Sequence, residues 1–481
     1  MTTTLIRRAE WLVAWDQPAG RHVYLRDADL AFTDDRIVHV GEGFEGPCDH
    51  EIDGRGLFIM PGLIDLHSHP SLEPAYKGVR EEHGVPEMYM TGLYERSCAF
   101  RTDSEGERAA GEVAFSELLL SGVTSLVDVS GIYDGWVDLL ARSGLRAWVA
   151  PWYNSSTWKM EAGHKLGFTE SSDDGREAFR LAEATMDEAE GHPCGRLTGM
   201  YSPGTIDTCS EDLLRHTVDA AKANGRTYTT HIAQSVVEFH LMVERHGKTP
   251  VQWAHDIGFL TPDALLAHAI FIDDHSWLHW RTRRDLSILA ETGVTVAHCP
   301  TPFSRYGQML EDFGRYLRAG VNMGIGTDTL PHNLLEEMRK TAVLARIAAG
   351  DINTLGLADV LNAVTIGGAR ALKRDDLGKL TPGAKADLVL VDLSHPHMRP
   401  VRDPLRSLVF SAADRAVRDV FIDGNQVVAN GKVTTLDVED AHGRLQLAQA
   451  RMLADGPNRD FAGRTDTMIA PLSLPQSGAN R

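Results

Sequence analysis

Eight short apolar runs, rich in β-branched residues, recur along this chain, and a stretch of helical period follows each: Leu57–Leu66, Val123–Val129, Arg146–Trp152, Leu197–Tyr201, Thr227–Ala233, Leu265–Ile272, Val294–His298 and Val321–Thr327. Strands without polar alternation are buried on both faces, and parallel strands joined through helices bury them that way. Eight such units predict an α/β fold, a parallel (β/α)8 TIM-like barrel rather than an open sheet. The helices between have legible ends. One runs from Ser210-Glu-Asp-Leu-Leu through Ala223, with a serine cap and early acids, and Asn224-Gly225 stops it.

At 481 residues the chain is too long for one compact core, so a second unit is expected. Thr4–Val13 and the run around Leu30–Val40, broken by Asp34-Asp35, read as short strands with tight turns. Near the other end, GKLTPGAKADLVLVD from Gly378 reads as turn, then strand. Val417–Ile422 and Gln426–Ala429 flank Asp423-Gly424 as a hairpin. Both ends are β-rich, which predicts that they pair into one small β-sandwich. The expected division is 1–57 and 377–435 for the sandwich, 58–376 for the barrel, and 436–481 for a helix and tail.

Charge and cysteine usage narrow the function classes. The formal net charge is -19, from 67 acidic and 48 basic residues, so nucleic acid is not an expected partner. No stretch reaches the length of a membrane span, and no long apolar run follows a basic start. Cys48, Cys98, Cys194, Cys209 and Cys299 are scattered without CxxC spacing, which argues against a disulfide framework or a cysteine zinc knot. A reducing cytoplasm, a small-molecule substrate and a homo-oligomer are the corresponding expectations.

The chemistry concentrates where the apolar runs end. In Pro61-Gly-Leu-Ile-Asp-Leu-His67-Ser-His69 the two imidazoles are spaced i, i+2, which puts them on one face of a strand. They fall at the catalytic rim of a barrel, and neutral imidazole suits zinc and its neighbours. Thr229-Thr230-His231-Ile-Ala-Gln234 ends the fifth run, Leu266-Ala267-His268 lies in the sixth, and Gly324-Ile-Gly-Thr-Asp328 ends the eighth. A titratable side chain in an apolar strand is costly unless it is paired or bound to a metal. Singly, a hydrogen-bonded core histidine explains His231 or His268, and a helix cap explains Asp328. Together they converge on one rim. Trp152, Tyr153, Trp158, Tyr201, Phe303 and Tyr306 fall on or just past strand ends, where an aromatic substrate pocket forms. The stretch Pro74–Tyr94, with Lys77, Arg80, Glu81, Glu82 and His83, follows the first strand as a lid would.

The ordered set PGLIDLHSH, THIAQ, LLAHAIFID, VAHCP and GIGTD resembles the amidohydrolase superfamily, in particular its cytosine deaminase and triazine hydrolase branch. GKLTPGAKADLVLVD and DVFIDGNQVV are similar to that superfamily's C-terminal sandwich segments. The resemblance implies a metal-dependent hydrolase. His67, His69 and His231 would be its imidazole ligands. Asp328 would be a ligand or near-ligand that also takes a proton from the bound water. His268 would orient that water or polarise the substrate, and His298 would line the pocket. Binuclear members bridge two metals through a lysine or glutamate ending strand 4. Here that region reads Gly199-Met-Tyr-Ser-Pro-Gly-Thr-Ile-Asp, so one divalent ion is expected, zinc first, with iron, cobalt or manganese also suited. Lys159, beyond strand 3, is the remaining lysine candidate.

One position departs from the pattern. The deaminase branch reads His-x-x-Glu on the fifth strand, and the acid moves a proton to the ring or leaving group. Here the residue is Gln234, and an amide does not exchange a proton near neutral pH. Asp328 is then left to protonate the leaving group. This favours C–N hydrolysis of an amide, urea or carbamate. Deamination or dechlorination of a nitrogen heterocycle is the alternative.

Overall fold

Eight strands run parallel and pair in chain order. The first four are Leu63–Ser68, Val123–Ser130, Arg146–Tyr153 and Leu197–Gly199, the last continued by Ser202–Pro203. The second four are Tyr228–Ile232, Ala264–His268, Thr295–His298 and Asn322–Ile325. Isolated parallel bridges, Tyr201 to Tyr228 and Thr205 to His231, join the fourth strand to the fifth, and Ser68 to Asp328 joins the eighth back to the first. The chain is thus α/β, with the two parallel sheets linked at both seams. The computed structural model describes residues 1–79 and 84–476.

Period-two alternation sorts the strand residues. Ile64, Leu66, Val127, Val129, Trp148, Ala150, Met200, Leu265 and Ala297 form one buried cluster. Tyr201, Tyr228, Ile232, Val296, Met323 and Ile325 belong to a larger one, shared with helix residues such as Leu118, Met186 and Met338. The first strand breaks the alternation. Its register against the second shifts between Asp65 and Ser68, so Leu66 and then His67 both face the interior.

The run Leu57–Leu66 is two strands. Leu57–Pro61 pairs with Leu388–Asp392 and with Trp11 and Leu12, and only Leu63–Ser68 enters the parallel set. The two chain ends do pair with each other. Thr3–Asp16, Arg21–Thr33, Arg36–Gly41, His50–Asp53, Leu57–Pro61, Leu388–Asp392, Val417–Ile422, Asn425–Ala429 and Lys432–Val433 form one continuous nine-stranded sheet. Ile6, Leu12, Leu30, Phe32, Ile59, Leu388, Leu390 and Phe421 pack into its core. The hairpin at Asp423-Gly424 has φ of 48° and 73°, the left-handed pair that a two-residue turn demands. A Cβ at Gly424 would stand 2.0 Å from the Asp34 carbonyl oxygen, so no larger residue fits.

One buried cation ties this sheet to the parallel strands. Arg146, at the start of the third strand, is 2% exposed. Its guanidinium donates to Asp387 at 3.2 and 3.3 Å and to Asp423 at 2.6 Å.

The C-terminal helix, Val438–Arg459, packs on Ser104–Leu120 and on the segment after the first strand. Gln449 Nε2 donates to the carbonyls of Ala75 and Lys77, both at 2.7 Å. A short helix, Asp466–Ile469, follows in the stretch read as unstructured tail. Among the described residues, no helix is long and apolar enough to cross a membrane.

Candidate metal centre

The His67, His69, His231 and Asp328 side chains come together at the C-terminal ends of the first, fifth and eighth strands. Each offers a ligand atom, and these four atoms lie within 4.8 Å of one another. Asp328 Oδ1 is 3.5 Å from His67 Nε2 and 3.3 Å from His69 Nε2, and His69 Nε2 is 3.1 Å from His231 Nε2. Four donors around one tetrahedral zinc ion stand about 3.4 Å apart.

Backbone partners fix how the imidazoles point. His69 Nδ1 donates to the Val129 carbonyl at 2.7 Å, and His231 Nδ1 donates to the Gly204 carbonyl at 2.5 Å. Burial opposes and Asp328 favours the charged form of His69, whose pKa is raised on balance; in the neutral form that a metal requires, each ring turns an Nε2 lone pair inward, and the two lone pairs face each other. That arrangement is repulsive unless a cation lies between them. Among the described residues, His67 has no hydrogen-bond partner at either nitrogen, although it is buried. Burial and the neighbouring imidazoles hold His231 far below the usual imidazole range, in the neutral form a metal requires. Against the upward push of burial, the imidazoles hold Asp328 well below the usual carboxylate range.

Local sequence explains the close approach. On the eighth strand Met323 and Ile325 face the helices, which leaves Gly324 and Gly326 facing inward. A Cβ at Gly326 would stand 2.7 Å from the His67 carbonyl oxygen, so only glycine lets the two strands converge. Asp328 and His268 are held at φ of 58° and 81°, a strained left-handed backbone that turns their side chains off the strand direction. His268 Nε2 lies 3.9 Å from Asp328 Oδ2, and burial pushes its pKa down to about 3. Gln234 is 3% exposed, and its backbone N–H donates to Glu238 at 3.1 Å, beside that of Ala233 at 2.6 Å.

Several supporting residues carry no motif. Asp65 accepts from the Thr327 hydroxyl at 2.7 Å and from the backbone N–H groups of Thr327 and His67, both at 3.1 Å. It locks the first strand to the eighth, and burial raises its pKa to about 7. An acid inside the apolar GLIDL was its only signal in the sequence. Glu73 and Arg96, an ion pair at 3.1 Å and both almost fully buried, line the cleft above the centre. So do Leu93, Ser97 and Thr205.

The cleft walls also include His69, Trp152, Trp158, His231, Gln234, His268, Phe303, Tyr306 and Asp328. Trp152 therefore stands where the sequence places it. Tyr201 and His298 do not line this cleft. The Tyr201 hydroxyl donates to Glu183 at 2.8 Å and its ring stacks on Phe179, among the helices. His298 packs its ring 5.6 Å from Phe313. Both share the strand face of residues that point outward. Lys159 is exposed on the hairpin formed by Ser156–Glu161 and Lys165–Glu170. Of the stretch Pro74–Tyr94, Leu93 lines the cleft among the described residues, and Leu72, Glu73, Arg96 and Ser97 line it from either side of that stretch. Arg80, Glu81, Glu82 and His83 lie outside the described residues. A larger cavity, about 930 Å³, opens between Asp34, Cys194, Arg196 and Asp423, and among the described residues it contains no comparable set of converging donors.

Solved structures share this fold, and sequence relatives span the chain. Over 458 residues, 94% of this chain and 99% of the relative, the sequence is 28% identical to a 5'-deoxyadenosine deaminase of Methanosarcina acetivorans. A zinc-bound adenosine deaminase from Xanthomonas campestris superposes with a TM-score of 0.80 at 23% identity, covering 94% of this chain and 98% of that one. A zinc complex of the atrazine chlorohydrolase from Arthrobacter aurescens gives 0.77 at 23% identity, covering 93% and 100%. A sequence model of the amidohydrolase family matches residues 58–427, and the chain belongs to that family.

Proposed function

We propose that this protein is a metal-dependent hydrolase that cleaves a C–N bond of a small molecule. The convergence of three inward-facing imidazoles and one carboxylate carries the reading. His67, His69, His231 and Asp328 would hold one divalent ion, with zinc favoured by the donor set and by the zinc in similar structures. Such an ion makes water nucleophilic near neutral pH.

The protein's own groups do the rest. Asp328 has its Oδ2 turned toward His268, and in this reading takes a proton from the attacking water and returns it to the leaving nitrogen. His268, kept neutral by burial, orients the water and steadies the oxyanion as it forms. Gln234 hydrogen-bonds the substrate without exchanging protons. Trp152, Trp158, Phe303 and Tyr306 pack against its planar part, and Glu73 and Arg96 close the outer wall.

Gln234 favours an amide, urea or carbamate, because Asp328 alone must carry the proton. A specific observation favours the second reading, an aminated or chlorinated nitrogen heterocycle. The relatives bear the names of adenosine-type deaminases, and the cleft walls are aromatic. A panel of amides, phenylureas, carbamates and aminated rings, assayed for amine or ammonia release with the zinc-loaded protein, separates the two. Chelation is expected to remove turnover of whichever class is accepted, and added zinc to restore it. Turnover that survives complete metal removal refutes the reading.

Gln234→Glu supplies the missing acid. It is expected to raise ammonia release from aminated rings about a hundredfold, the low end of what a placed acid contributes. Unchanged or lower release from every ring tested would show that the position carries no proton.

We read the parallel strands as a (β/α)8 barrel spanning residues from about Gly62 to 376, with the terminal sheet, 1–61 and 377–435, as a sandwich-like second unit. The five free cysteines accord with a reducing cytoplasm, and a homo-oligomer belongs to the same proposal.

A further inference from the structure

We propose that Cys299, His268 and Asp328 form a second cation site, selective for thiophilic metals, next to the first. Their ligand atoms lie within 4.8 Å of one another, at the ends of the seventh, sixth and eighth strands. All three residues are buried.

Strand alternation aims the thiol correctly. Ala297 belongs to the interior cluster, and Cys299, two residues on, shares its side, whereas His298 between them turns out toward Phe313. The Cys299 thiol has only a weak contact, 3.8 Å from the Ala297 carbonyl. His268 Nε2 is the nitrogen nearest Asp328, at 3.9 Å, and among the described residues its buried Nδ1 has no hydrogen-bond partner. Asp328 faces both ways. Its Oδ1 serves His67 and His69, while its Oδ2 is the oxygen directed at His268. One carboxylate thus presents a separate oxygen to each site, as in carboxylate-linked metal pairs about 3.5–4 Å apart.

Sulfur, imidazole and carboxylate together suit zinc or cadmium, and do not suit magnesium or calcium. Coordination forms a sulfur–cation bond and releases the thiol proton to water. With three protein donors, one of them shared, the site is the weaker of the two and, where the first is intact, fills after it. Its occupancy engages Asp328 and His268, so excess thiophilic metal should inhibit. That effect on turnover rests on the proposed function, but the binding does not.

The test is a cadmium chloride titration of protein already carrying one zinc per chain, followed by the ultraviolet charge-transfer band of cadmium–thiolate bonds and by activity. Cys48, Cys98 and Cys194 are accessible to some degree, so the readout is the difference between wild type and Cys299→Ser. The variant should lose one equivalent of band amplitude, keep its basal activity, and need about tenfold more cadmium for half-inhibition. Cys299→Ala should behave the same way. Equal amplitude and equal inhibition in wild type and both variants would overturn the site. X-ray absorption on cadmium-treated wild type needs no variant, and absence of a sulfur neighbour from the second equivalent would also overturn it. His69→Ala separates the two proposals. It should lose zinc and activity yet retain the cadmium–sulfur band.

Discussion

Asp328→Asn is expected to lower kcat by roughly 10³-fold, about 4 kcal/mol of transition-state stabilisation, with KM changed far less. The amide keeps the shape and one oxygen donor, and the three imidazoles remain, so most of the zinc should stay bound. What is lost, in the proposed reading, is the group that accepts the water's proton and returns it. Gln234 cannot replace it, and His268 is held neutral by burial. Zinc analysis beside steady-state kinetics makes the result readable. A variant that keeps its zinc and more than about a tenth of wild-type kcat would exclude Asp328 as the proton carrier.

The second large effect falls on stability. Arg146→Ala is expected to lower the unfolding free energy by about 3–5 kcal/mol, because it strands the buried carboxylate of Asp387 without its cation and leaves Asp423 to Lys385 alone. That is a large share of the roughly 5–15 kcal/mol that holds most folded proteins together. Arg146 begins its strand, at the end opposite the cleft, so kcat at low temperature should stay near wild type while the denaturation midpoint falls. The pH dependence has a definite sign. Against the upward push of burial, Arg146 and Lys385 depress the Asp423 carboxyl. A depressed carboxyl stabilises the fold above its unfolded pKa and loses that contribution as pH falls through the folded one. The gap between wild type and variant should therefore be full at neutral pH and shrink in acid. A gap under about 1 kcal/mol at pH 7 would show that water replaces the guanidinium.

Much of this centre could be read from the sequence, because costly side chains in apolar strands announce themselves. His67, His69, His231, His268 and Asp328 each interrupt an apolar run at its end, and those ends meet at one rim. The pairing of the chain ends was likewise visible in turn residues such as Asp423-Gly424. Phase was not visible. Tyr201 and His298 were expected in the pocket, but each lies one residue away from an inward position, Met200 in one case and Ala297 in the other. A one-residue uncertainty in a period-two pattern reverses the side. The same parity hid Cys299. The split of Leu57–Leu66 was also concealed, since both halves are apolar and only pairing partners distinguish them. Asp65, Glu73 and Arg96 form no motif, and their roles depend on contacts with residues distant in the chain.

Asp65 joins Thr327 across a sequence separation of 262 residues, and through it the last donor is brought to the first. A ribosome that has made everything up to the seventh strand has released three histidines with nothing to complete their set. The four-donor set is therefore complete only near the end of synthesis, once the eighth strand and its Asp328 have emerged.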